Sequence, residues 1–249
     1  MLFKQGYNFD EKSYFSKREE DMKILGIIPA RGGSKGVKNK NIRLLKDKPL
    51  IYWTLNECKK ISDKLDFIVS TDDEKIAEIC SKYNFPIHAL RPHHLATDNA
   101  LTLDVLTHEL LEYEKRMSAS YDYVLLLQPT CPMRKSEHIV DCINLIKKYS
   151  PDSVVSIKDV EGNHPNRMKI IDEGMLVNYV NTGKEDMRPR QSLPKVFIRN
   201  GAIYLTKAEL IRENKTLVGE KCIPYLMNEN DSINIDTELD FLTAEHLFS

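Results

Sequence analysis

The chain has 249 residues, of which 41% are hydrophobic and 29% charged, enough apolar content for a sizeable core under an ordinary polar surface. Thirty-six basic and 37 acidic residues leave a net charge of −1, so no global field draws the protein to nucleic acid or to an anionic membrane. No apolar run approaches the roughly 20 residues of a membrane span. The first residues lack a signal peptide's apolar stretch, and the five cysteines form no Cys-x-x-Cys pair. A cytoplasmic protein with neither nucleic acid nor membrane as partner is expected.

Residues 1–22, rich in Lys, Glu, Asp and Ser, read as a mobile N-terminal extension, and 23–249 as one domain. The run Ile24-Leu25-Gly26-Ile27-Ile28 predicts a buried strand. It leads into Pro29-Ala30-Arg31-Gly32-Gly33-Ser34-Lys35-Gly36-Val37-Lys38-Asn39-Lys40-Asn41, a loop with three glycines, a serine and four cations. Glycine lets the backbone turn several N–H groups toward one anion, and Arg and Lys neutralise its charge, so the loop predicts phosphate binding. The spacing fits neither a Walker loop nor the dinucleotide fingerprint. A solvated basic loop without a ligand is the alternative that composition alone leaves open.

Alternation of helix and strand signals then predicts a mostly parallel sheet covered by helices. Residues 49–61 read as a helix, 66–70 as a strand, 74–83 as a helix and 86–90 as a further strand. Leu103, Leu106, Leu110 and Leu111 have the spacing of an amphipathic helix over 101–117. Tyr123-Val124-Leu125-Leu126-Leu127 is continuously apolar, as in a central parallel strand. A helix over 136–149 and a strand over 153–157 follow. Residues 159–195, interrupted by Pro and Gly, read as an excursion from the sheet. The chain returns through 196–198 and 201–205 and ends in a helix over 237–248, capped by Thr237 or Asp236.

Residues 28–36 with Lys40-Asn41 closely resemble the nucleotide loop of the acylneuraminate cytidylyltransferases, which make CMP-sialic acid and its relatives. Further blocks match in order: Val69-Ser70-Thr71-Asp72, Leu90-Arg91-Pro92, Leu127-Gln128-Pro129-Thr130-Cys131-Pro132, Ser153-Val154-Val155-Ser156, Arg188-Pro189-Arg190-Gln191, Asn200-Gly201-Ala202-Ile203-Tyr204 and Ile235-Asp236-Thr237-Glu238-Leu239-Asp240. The resemblance spans residues 23–249. It implies a three-layer αβα, nucleotide-diphospho-sugar transferase-like (Rossmann-like) fold. Residues 159–195 would form a small inserted dimerisation lobe, in a homodimer whose lobe cations reach the partner's active site.

The reaction it implies joins CTP to a nonulosonic acid. The anomeric hydroxyl attacks the α-phosphorus and pyrophosphate leaves, which requires charge neutralisation, a divalent metal (Mg²⁺ or Mn²⁺) and a held nucleophile. Arg31, Ser34, Lys35 and Lys40 suit the triphosphate, and the resemblance implies that Arg31 and Lys40 lie close to the reacting phosphate. Resemblance places Asn41, Arg91, Ala100 and Thr102 around base and ribose. It assigns the sugar acid to Gln128, Arg167, Arg190, Asn200 and Tyr204. Asn234-Ile235-Asp236 stands where many relatives read Asp-Ile-Asp. Alternate residues of a strand share a face, so Asn234 and Asp236 are the expected metal positions, with Asp236 the principal ligand. Cys131 reads as a packing residue and His164 as a surface histidine. N-acetylneuraminic and legionaminic acid are the competing substrates within the class. A catalytically silent nucleotide-binding scaffold is the competitor outside it.

Overall fold

A computed structural model describes residues 22–33, 36–180 and 186–248. In chain order its strands are β1 (Ile24–Pro29), β2 (Leu44–Leu45), β3 (Lys48–Pro49), β4 (Asp66–Ser70), β5 (Tyr123–Leu126), β6 (Ser153–Asp159), β7 (Lys169–Asp172), β8 (Met175–Asn178), β9 (Phe197–Lys207) and β10 (Cys222–Leu226). The α-helices are α1 (Leu50–Lys59), α2 (Glu74–Lys82), α3 (Thr102–Met117), α4 (Ser136–Tyr149), α5 (Ala208–Arg212) and α6 (Glu238–Leu247). Six strands form the central sheet in the order β10-β6-β9-β5-β1-β4. All neighbours pair in parallel except those of β9, which runs antiparallel to both β5 and β6.

Two clusters cover the two faces of this sheet. Ile51, Leu55, Ile76, Cys80, Ile139 and Ile146, from α1, α2 and α4, pack with Ile28, Leu125 and Val154 on one side. Leu106, Leu110, Ala208 and Ile211, from α3 and α5, pack with Ile27, Val124 and Leu126 on the other. Successive residues of β1 and β5 thus serve opposite helix layers, which is why both strands read as unbroken apolar runs. The architecture is three-layer αβα with a mostly parallel sheet. Among the described residues no helix is long and apolar enough to cross a membrane. A third, smaller cluster of Val37, Leu45, Leu50, Ile235, Phe241 and Ala244 lies beneath the phosphate-type loop and ties it to α6.

Several expectations change. Residues 86–90 form no strand: Pro86 lacks a ladder donor and Ala89 and Leu90 are exposed, so little burial would reward pairing with the edge of β4. The return of the chain is one eleven-residue strand, β9, carried across a register shift opposite Val155 and Ile157. The edge strand β10 escapes sequence reading because Pro224 interrupts it, which an edge tolerates. Short α5 carries too few residues for a periodic signal. Only Met22 of the supposed N-terminal extension lies within the described residues, and it packs against the core.

Within the excursion, β7 and β8 pair as a hairpin closed by Glu173 (φ 48°) and Gly174 (φ 80°), the two positive-φ residues of a type I′ turn. Its apolar side chains are unburied: the cross-strand pair Ile171 and Leu176 are 79% and 71% exposed. His164, expected on the surface, is buried at the base of this excursion. Its Nδ1 accepts from Asn166 N–H at 3.1 Å, and its Nε2 faces the Pro194 carbonyl at 3.0 Å.

Candidate active site

The loop after β1 is held at both ends by the neighbouring strand and its extension. Ala30 N–H donates to the Ser70 carbonyl at 2.8 Å and Gly32 N–H to Asp72 Oδ1 at 2.9 Å. Asn39, at φ 52°, turns the chain into a single 3₁₀ turn over Lys40–Ile42. The loop then lies directly on the segment before α6. A Cβ on Gly36 would stand 2.1 Å from the Asp236 carbonyl oxygen, so no other residue permits this approach. Lys40 Nζ closes the contact by donating to the Ile235 carbonyl at 2.6 Å and to Asp236 Oδ1 at 3.1 Å.

Ile235 itself is fully buried, and its N–H donates to the Thr130 carbonyl at 2.8 Å. With that side chain pointing inward, Asn234 and Asp236 point outward together, as their alternation predicts. Asn234 Nδ2 donates to Asp236 Oδ2 at 2.7 Å. Thr237 forms the N-cap of α6 with Asp240 in a capping box, which leaves the Asp236 carboxylate free of helix capping. Arg31, Lys40, Asn234 and Asp236 therefore stand at one edge of the sheet, the carboxyl ends of its parallel strands. The Arg31 guanidinium is paired with Asp98 at 2.9 Å and remains about one-third exposed. Ser34 and Lys35 lie outside the described residues.

Other expected ligand residues turn inward. The Asn41 amide donates to the Arg31 carbonyl at 2.9 Å and shapes the loop. Arg91 is 6% exposed, with Nε on Ser70 Oγ at 2.8 Å and a terminal nitrogen on the Ser70 carbonyl at 2.6 Å. Burial pulls its pKa down, while Glu109, which accepts from the same Ser70 hydroxyl, opposes that shift. Its guanidinium braces the end of β4 and does not face open solvent. Asn200 is consumed likewise: Oδ1 accepts from Ser156 Oγ at 2.6 Å, and Nδ2 donates to Ser232 Oγ at 2.9 Å. Ala100 and Thr102 stand half-exposed at the entry to α3.

Gln128 leaves the end of β5 with its Oε1 2.8 Å from where a Cβ on Gly201 would sit, and Gly201 also requires φ +79°. Tyr204 is half-buried on β9, and burial raises its phenol pKa. Cys131 is fully buried beside the Asn200 carbonyl and Asn234, its thiol pushed up to about 11 by burial, as a packing residue should be. Arg167 and Arg190 belong to the excursion, where Arg167 donates to the Arg188 carbonyl at 3.1 Å and Arg190 pairs with Glu161 at 3.6 Å. Neither touches the core site of its own chain among the described residues.

Sequence reading missed Arg134, which is 1% exposed. It donates to the Gln128 carbonyl at 3.1 Å, the Ala202 carbonyl at 2.8 Å and Thr54 Oγ1 at 2.7 Å, nailing the loop after β5 to β9 and α1. Burial lowers its pKa. A cation two residues after a proline reads as surface, and nothing in the local pattern signals otherwise.

An αβα sheet of this strand order carries a basic glycine-rich loop after its first strand, at the carboxyl ends of the parallel strands where such sheets take ligands. The chain belongs to the cytidylyltransferase family, whose model matches residues 25–241. It is 36% identical over 228 residues to the CMP-N,N'-diacetyllegionaminic acid synthase of Legionella pneumophila, covering 91% of this chain and 96% of that one. It is 35% identical over 231 residues to the N-acylneuraminate cytidylyltransferase of Streptococcus agalactiae. That match covers 91% of this chain and 54% of the relative, so the chain spans about half that relative's length. The solved structure of CMP:2-keto-3-deoxy-manno-octonic acid synthetase complexed with CTP has a TM-score of 0.65 at 15% identity, over 91% of this chain and 98% of that one. At that identity the likeness is one of fold.

Proposed function

We propose that the protein transfers CMP from CTP to the anomeric hydroxyl of a nonulosonic acid, N-acetylneuraminic acid or the related legionaminic acid, with release of pyrophosphate. The observation that carries this reading is the contact of the loop with Asp236 through Gly36 and Lys40, which sets a cation of the basic loop against an exposed carboxylate. Attack of the sugar oxygen forms a new P–O bond at the α-phosphorus and breaks the bond to the β-phosphate. Arg31 and Lys40 neutralise charge on the phosphates as it builds up. Retention of these cations argues against a silent scaffold. The test is pyrophosphate release with CTP, UTP and ATP against a panel of nonulosonic acids. CTP is expected to be strongly preferred, and equal release with UTP or ATP would contradict the reading. The reading includes a cytoplasmic role in making activated sugars for cell-surface glycans.

The reading includes a divalent cation, Mg²⁺ or Mn²⁺. Among the described residues no group of three or more His, Cys, Asp and Glu is placed to hold a metal. A hard cation that shares one carboxylate with substrate phosphates nevertheless fits this donor set, with Asp236 as the principal protein ligand; Asn234 would join it through its carbonyl oxygen once the amide, whose Oδ1 faces the Cys131 thiol at 3.6 Å, is turned over. When bound, such an ion supplies charge neutralisation on the phosphates. Lys40 already balances the Asp236 charge, so the nucleotide-free protein should hold Mn²⁺ poorly. Asn234→Asp should strengthen Mn²⁺ binding at least about tenfold by adding a ligand charge, read from the free-ion electron paramagnetic resonance signal without nucleotide. Equal Mn²⁺ affinity in the two proteins would contradict this ligand assignment.

The reading also includes a two-fold dimer built through residues 159–195. A lone two-stranded hairpin is marginal in water, and this one exposes Ile170, Ile171, Met175 and Leu176. A second copy of the chain covers such a patch most economically, because the apolar surface is then self-complementary. Arg167 and Arg190 would thereby approach the neighbour's sugar site. Solution scattering should show a dimer; an active monomer would overturn this part of the reading.

A further inference from the structure

The excursion carries Arg167 and Arg190 away from their own core, which raises the question of which cation of the core faces the sugar acid. Strand β9 runs against its neighbours, so its early residues stand at the carboxyl ends of the parallel strands. Tyr204 pairs with Leu126, the last residue of β5, and residues before it extend past that end alongside β6. Ligands of open α/β sheets bind at this rim. Arg199 lies on it, paired with Ile157.

The register shift decides which way Arg199 points. Five residues separate it from Tyr204, which in a regular strand would place the two on opposite faces. Their partners on β6 are Ile157 and Val155, however, two residues apart and so on one face. Cross-strand partners share a face, so Arg199 and Tyr204 do as well. The positive charge of Arg199 reaches the Tyr204 phenol and opposes the rise in pKa that burial imposes there.

The other arginines of this rim are already engaged. Arg31 pairs with Asp98, Arg91 with Ser70, and Arg134 with the carbonyls of Gln128 and Ala202. Arg199 is exposed and makes no hydrogen bond or ion pair among the described residues, so the fold does not need its guanidinium. It also stands two strands away from β1 and the triphosphate loop, on the far side of β5.

We propose that Arg199 is a substrate-binding residue that grips the carboxylate of the sugar acid within its own subunit. The inference rests on the nonulosonic-acid reading above and adds to it a contact supplied in cis. A guanidinium matches a carboxylate through two parallel N–H···O bonds, a geometry a lysine cannot reproduce. The pairing also distinguishes a sugar acid from a neutral sugar at the acceptor site.

The test compares Arg199→Ala and Arg199→Lys with the unaltered enzyme, using each sugar acid and its C1 carboxamide as acceptors. Arg199→Ala should raise KM for the acid about ten- to a hundredfold, as loss of a charge-assisted pair does, with KM for CTP changed by less than about twofold. Arg199→Lys should recover part of the loss, and preference for the acid over its amide should disappear in Arg199→Ala. An unchanged KM for the acid would overturn the inference, as would equal rises in both KM values accompanied by dissociation of the dimer. Failure of the unaltered enzyme to use any acid of the panel would instead remove the activity reading on which the inference stands.

Discussion

Lys40→Ala is expected to lower kcat by about a hundred- to a thousandfold, the usual cost of removing one preorganised donor from a developing oxyanion. It should also cost about 1–3 kcal/mol of stability, because the Ile235 carbonyl loses its 2.6 Å partner beneath the loop. Arg31→Ala separates the two effects. Its guanidinium pairs with a half-exposed Asp98, and a surface ion pair contributes about 0–1 kcal/mol. Turnover should therefore fall as steeply as in Lys40→Ala while the melting temperature barely moves. Single-turnover quench-flow with labelled CTP and calorimetry on the same samples give both quantities. Near-normal turnover in either variant would remove that cation from the reacting phosphate.

The sequence disclosed what depends on continuous pattern and concealed what depends on side-chain direction. Ile24–Pro29 and Tyr123–Leu126 serve both helix layers, so their unbroken hydrophobicity reads directly as central parallel strands. The alternation of Asn234, Ile235 and Asp236 likewise gave the correct outward pair, because a buried Ile fixes the phase. Arg91, Asn41 and Asn200 sit within the expected motifs, yet their polar ends serve the scaffold. Nothing in one dimension distinguishes a side chain that meets a ligand from one that braces the backbone beneath it. Arg134 is the converse case, a fully buried cation whose partners lie up to 80 residues away in sequence. The face shared by Arg199 and Tyr204 depends on a register shift, which no periodicity reveals.

Mixing the weakened variants Arg190→Ala and Arg199→Ala should restore activity at low sugar concentration. If Arg190 acts on the neighbour's site and Arg199 on its own, a mixed dimer holds one doubly defective site and one intact site. Random exchange of subunits then returns about a quarter of wild-type activity at low sugar concentration, far above either parent. The intact sites should show the wild-type KM for the acid, since all their contacts are present. Were both arginines to serve the site of their own chain, every mixed site would carry one lesion and mixing would restore nothing. The same null result would follow if the subunits never exchange, so the mixture must first be unfolded and refolded together, with mixed dimers verified by differential tags. Verified mixed dimers without activity would show that the two arginines do not approach one acceptor from opposite subunits.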